Sequence, residues 1–143
     1  MKRHYNALMP FYALALLYMM FYGCGREAAE IGNLQLKPFH TIHYIFSKPV
    51  PFEFFFVNII CNIAVFVPFG LVGLIFKPML SIKNLLPFYI FGISCVEFIQ
   101  YLSGRGTADV DDVILNTLGM LSGFIFFKAY QQRTQKSLQS ISA

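Results

Sequence analysis

Between Glu97 and Asn116 the chain gathers groups suited to acid–base or binding chemistry, within an otherwise apolar sequence. Glu97, Gln100 and Tyr101 stand at i, i+3 and i+4, a spacing that puts all three on one face of a helix. Ser103-Gly104-Arg105-Gly106-Thr107 follows, with the composition of a tight turn that holds an arginine between two glycines. A guanidinium presented there suits a phosphate or carboxylate held bidentately. Asp109, Asp112 and Asn116, at i, i+3 and i+7, then share a face with Gly119 and Gly123. Asn58 and Asn62 add two amides one turn apart, earlier in the chain. Carboxylates and a guanidinium are expensive to take out of water, so such a cluster between greasy segments needs a reason beyond solubility.

Three roles compete for these residues. As a binding site, Arg105 holds an anion while Glu97, Gln100, Asp109, Asp112, Asn116, Asn62 and Asn58 take hydroxyl or amide groups. As a catalytic site, Glu97, set inside a span, is the best candidate base. Asp109 and Asp112 would work beside it as acid and base, or would hold a divalent cation such as Mg2+ or Ca2+. As a staple, the same groups tie helices together: aspartates at 109 to 112 cap a helix N-terminus and favour its dipole, and the asparagines bond across helices. No metal is assigned, because no full ligand set stands in the sequence. His40 and His43 are one turn apart without a third ligand nearby. There is no Gly-x-Ser-x-Gly elbow, no His-Glu-x-x-His and no phosphate-binding glycine loop.

The elements that must position these groups are membrane helices. Of the 143 residues, 57% are hydrophobic and 13% charged, which is more apolar surface than a soluble domain of this size can hide. Four segments approach the roughly 20 residues needed to cross a bilayer: 7–23, 54–76, 85–102 and 113–130. The reading is an all-α, integral membrane four-helix bundle, one domain over 1–143, with a polar, fraying tail at 131–143. Membrane lipids are its first partners. The net charge of +4 does not point to nucleic acid, since the basic residues stand singly at segment ends. Three cysteines, two of them inside apolar segments, make no disulfide framework. Oligomeric state is not legible.

Alternating the spans with the N-terminus inside puts Lys2, Arg3, Lys77, Lys83, Lys128, Arg133 and Lys136 on the inner side. Arg26, Lys37, Lys48 and Arg105 fall outside. Seven against four predicts both termini in the cytoplasm. All seven acids then lie at or near the outer face, although acids played no part in the assignment. The Gly23–Cys24 pair raises a lipoprotein cleavage site as a competing expectation, opposed by the bulky Phe21 and Tyr22.

Further expectations follow from local chemistry. Gly119-xxx-Gly123 lets another helix approach closely, which turns the carboxylates of the same face inward. Pro68 should loosen the second span, and the asparagines are the expected donors to the carbonyl it frees. Tyr12, Tyr18 and Tyr22 are expected to pack or to mark interfaces. Leu34 to Ile42 is expected to lie at the membrane surface as a lid.

Taken together, Glu97-x-x-Gln100, Gly104-Arg105-Gly106, Asp109-x-Asp111-Asp112-x-x-x-Asn116-Thr117-x-Gly119 and Asn62-x-x-x-Phe66-x-Pro68-x-Gly70 resemble the VanZ-like family of small membrane proteins. That family is named after a protein associated with resistance to the glycopeptide teicoplanin. The resemblance runs from about Leu34 to Phe127 and includes Pro38-Phe39; Gln35-Leu36-Lys37 departs from the family's more apolar approach to that element. It implies a four-helix membrane protein linked to glycopeptide antibiotic resistance or to cell-envelope function; a cell-wall precursor or a glycopeptide is the expected ligand of the binding reading. It supplies no mechanism.

Overall fold

The computed structural model describes residues 2–23 and 32–142; Cys24, Arg26, Glu27 and Glu30 lie outside the described residues. The elements are α1 (Lys2–Tyr22), β1 (Asn33–Gln35), α2 (His40–Ser47), α3 (Phe52–Phe55), α4 (Asn62–Ala64), α5 (Ile82–Leu102), β2 (Thr107–Asp109) and α6 (Val110–Ser142). A π-helical turn, Phe56–Cys61, joins α3 to α4, and 3-10 turns fill Val67–Leu74 and Lys77–Leu80. Four helical stretches are long and apolar enough to cross a membrane: Arg3–Tyr22, Phe52–Leu74, Ile82–Leu102 and Val110–Ser137. Large apolar side chains on their outer faces, such as Phe11, Phe91 and Phe126, are exposed in the free chain. Such surface belongs against hydrocarbon.

The second span is not one helix. The Asn58 and Asn62 amides donate to the carbonyls of Phe54 (2.8 Å) and Asn58 (3.1 Å), four residues back. That competition with the backbone ladder accompanies the wider π turn. Beyond it Pro68 offers no N–H, and the segment tightens into 3-10 geometry. Its carbonyls are satisfied by α1: the Tyr12 hydroxyl donates to Val65 O (2.6 Å) and that of Tyr5 to Pro68 O (2.8 Å). Tyrosines of α1 thus serve these two carbonyls, because α1 lies along this segment, while the Asn58 and Asn62 amides bond nearer the other end of the span.

Glycines decide how α6 meets this span. A Cβ at Gly119 would run into the Ile63 carbonyl, one at Gly123 into that of Val67, and one at Gly70 into the backbone of α6 around Met120 to Phe124. The two backbones touch without intervening side chains, as the small pair led us to expect. Met120 is buried completely at this seam, with Phe66 nearly so.

Two features were not expected. β1 and β2 form a two-stranded parallel pair with Leu34 opposite Ala108, so the fold is mostly helical but not purely so. In addition, α6 stays helical through the polar tail as far as Ser142. The stretch from Gln131 to Ser142 contains no glycine or proline, so nothing local stops a helix that is already nucleated.

Candidate functional site

The C-terminal ends of α1 and α5 and the N-terminal ends of the broken span and α6 meet at one end of the bundle. There they enclose a cavity of about 570 Å3. All eight candidate residues line it: Glu97 and Gln100 from α5, Arg105 from the turn, Asp109, Asp112 and Asn116 from the start of α6, and Asn58 and Asn62 from the broken span. The structure thus brings together in space what the sequence held in two separate blocks. Tyr101, although on the face of Glu97, does not line the cavity.

The turn that carries Arg105 is a helix-ending motif. Arg105 N–H donates to Gln100 O (3.1 Å) and Gly104 N–H to Tyr101 O (3.1 Å), while Gly104 takes a φ of 65°. This pair of bonds with a left-handed glycine is the Schellman arrangement. Among the described glycines only Gly104 has positive φ, so only one of the two beside the arginine is needed for the bend. The guanidinium then lies over the Tyr22 ring, 4.2 Å from its centroid. Stacking uses the face of the guanidinium, whereas its N–H donors lie in the plane. Tyr22, expected only to pack or mark an interface, therefore packs against the arginine at the mouth of the turn. Gln100 also holds α1, its amide donating to Met20 O at 2.9 Å.

The three aspartates have three different jobs. Asp109 caps its own helix: Oδ1 accepts the Asp111 N–H (2.9 Å), and Oδ2 accepts the Thr41 hydroxyl (2.5 Å). Asp111 turns away from the cavity, fully buried, and accepts the N–H groups of Phe39 (2.5 Å), Thr41 (2.8 Å) and Ile42 (3.0 Å). It caps α2, whose own preceding residue supplies no side-chain cap. Asp112 faces the cavity and accepts from the Asn62 amide at 2.7 Å, bridging α6 to the broken span.

The segment expected as a surface lid is anchored beside the cavity. β1 is paired to β2, Gly32 N–H donates to Tyr101 O (3.0 Å), and Thr41 lines the cavity. Gly32 lies so close to the Gly106 carbonyl that a Cβ would collide with it. The turn from Lys37 to His40 puts Phe39 at φ 62°, a left-handed position that type II turns normally give to glycine. His40 and His43 bond locally, to Gln35 and Ser47. Among the described residues, no group of three His, Cys, Asp or Glu side chains is placed to hold a metal ion. The sequence held no signal for the roles of Tyr5, Thr41 or Tyr22. Each depends on a partner more than fifty residues away or on the far side of the loop.

Two residues hold the site's chemistry most tightly. Glu97 is 5% exposed and lines the cavity from near the C-terminal end of an apolar helix. Asn116 is 1% exposed, and its Oδ1 has no hydrogen-bond partner. A buried acceptor left unpaired is costly, which makes it the natural place for a ligand's donor.

No curated protein and no solved structure matches the chain. The VanZ/LLP1 family model matches residues 9–131, which include every residue of the cavity just described. The chain belongs to the VanZ/LLP1 family.

Proposed function

We propose that this VanZ-like membrane protein binds or modifies an envelope or lipid-linked ligand in the polar cavity. The cavity faces outward, both termini lie in the cytoplasm, and the activity is linked to glycopeptide resistance of the teicoplanin type. The observation that carries the reading is the convergence of all eight candidate residues on one cavity, with the Asn116 acceptor buried and unpartnered in it. The orientation follows the distribution of Lys and Arg: Lys2, Arg3, Lys77, Lys83, Lys128, Arg133 and Lys136 belong to the end of the bundle away from the cavity.

The lining specifies the kind of ligand. Glu97, Asp109 and Asp112 outnumber Arg105, so a bare multivalent anion is a poor match. The carboxylates and amides suit a head group rich in hydroxyl or amide donors, with a single anionic group at Arg105. Asp109 has both oxygens engaged within the protein, which gives it a positioning part. Glu97 and Asp112 are the carboxylates for direct contact. Should the site be catalytic, Glu97 is the candidate acid or base in a transfer or hydrolysis.

The test is glycopeptide susceptibility of a sensitive host expressing wild type, Glu97→Gln or Arg105→Ala, with membrane abundance measured in parallel. Protection by wild type and its loss in Arg105→Ala, at equal abundance, is the expected result. Equal protection by all three makes the cluster structural for this phenotype, and no protection by any removes the resistance role. Glu97→Gln separates the two forms of the reading: a binding role tolerates the amide, whereas proton transfer does not.

A further inference from the structure

A second cavity, of about 260 Å3, lies between α1, the broken span and α5, and its wall is almost wholly apolar. On α1 it is lined by Ala13, Leu16, Leu17 and Met20, spaced i, i+3, i+4 and i+7 as one continuous helical stripe. Met20 also lines the polar cavity, so the two spaces adjoin at that residue. α1 is pinned on either side of the gap, by Tyr5 and Tyr12 at one end and by Gln100 at the other. Between these pins its stripe stands off α5.

The opposite wall shows the same opening. Gly92 sits in the interior of α5, where glycine costs about 0.5–1 kcal/mol relative to alanine. Packing does not demand it: a Cβ there meets nothing within 4 Å, unlike those at Gly70, Gly119 and Gly123. Tyr89 lines the same cavity with its ring, and its hydroxyl is turned away to Asn116 O at 3.2 Å. Phe88 and Leu17, both exposed, mark an opening toward the hydrocarbon of the bilayer. With a methylene taking roughly the volume of a liquid water, about 30 Å3, the space suits on the order of nine carbons of one chain.

We infer that a single hydrocarbon chain, belonging to the ligand whose head occupies the polar cavity, lies in this apolar cavity. The substrate class is then a lipid-linked amphiphile, held in the plane of the membrane with its donor-rich head against Glu97, Asn116 and Arg105. The inference rests on the polar cavity being the ligand site and adds where the chain runs. Met20 is the residue past which head and chain join. Entry is lateral, from the bilayer.

The experiment uses the full chain in phosphatidylcholine vesicles with a single-chain alkyl phosphodiester of glucose carrying a diazirine in its chain. Labelled residues are mapped by mass spectrometry for wild type, Gly92→Phe and Arg105→Ala. Labelling is expected at Leu16, Leu17 and Phe88, to fall roughly tenfold in each variant, and to be competed by chainless glucose 1-phosphate. A fall with Arg105→Ala but not with Gly92→Phe overturns the chain site and leaves the polar-site reading standing. A fall with Gly92→Phe alone, or failure of glucose 1-phosphate to compete, shows an apolar cavity that is not joined to the head site and overturns the inference. No effect of either variant overturns both readings. Leu17→Trp narrows the same cavity from α1 and replaces Gly92→Phe if that protein does not accumulate.

Discussion

At the cavity end, α6 is fixed by side chains that reach backbone and side-chain partners: Asp111 to the start of α2, Asp109 to Thr41, Asp112 to Asn62. A few turns further along, the same helix is fixed by the absence of side chains, where Gly119 and Gly123 lie on the carbonyls of Ile63 and Val67. The first region can lose one bond and keep its shape, because its contacts are separable. The second cannot, because any added atom displaces a whole backbone. Within the first region the aspartates divide again. Asp111 serves the fold alone, whereas Asp112 and Asn116 are turned to the cavity.

The comparison breaks most visibly at the glycine seam. Gly123→Leu is expected to abolish accumulation of folded protein, read as monodisperse yield from solubilised membranes; normal yield would mean that the backbones are not in contact. Next comes Asp111→Ala, which leaves three N–H groups without their acceptor. Bonds to a charged group are worth about 1.5–3 kcal/mol each. Partial rescue by water reduces the total, and a loss of about 3 kcal/mol is expected, read as a lowered Tm in detergent with early proteolysis near α2.

Tyr12→Phe strands the Val65 carbonyl and should cost about 1–2 kcal/mol by the same measurement. Asn116→Leu sharpens the contrast with Asp111. Its Oδ1 has no partner to lose, so stability should change by less than about 1 kcal/mol while the wild-type phenotype disappears. A large drop in Tm would reassign Asn116 to the fold. The smallest effect is a gain: Phe39→Gly relieves a left-handed side chain that is 60% exposed, and should raise stability by up to about 1 kcal/mol. A fall in Tm there would mean that the Phe39 ring contributes packing.

Much of this was legible along the chain. Glu97 and Gln100, one turn apart, had to share a face, and the glycines on either side of Arg105 marked a bend. Gly119 and Gly123 announced a close approach. The contacts of Leu34 to Ile42 were not legible because this segment reaches its partners only through space: its strand pairs with Thr107 to Asp109, and its turn is capped by Asp111. The tyrosine donors to the loosened second span were not legible for the same reason. A hydroxyl on α1 and an amide one turn away are equally plausible until helix positions are fixed.

Composition and helical period by themselves determined that the chain forms apolar spans, which faces carry carboxylates and amides, and where its backbone must bend. These are local consequences of hydrophobicity, side-chain spacing and allowed φ, available from neighbours in sequence. Only the tertiary structure decided that Asp111 caps α2, that Tyr22 lies beneath Arg105, and that an apolar cavity adjoins the polar one at Met20. Those outcomes depend on how far apart and at what rotation whole helices come to rest, which is set by the sum of their packing and by no residue alone.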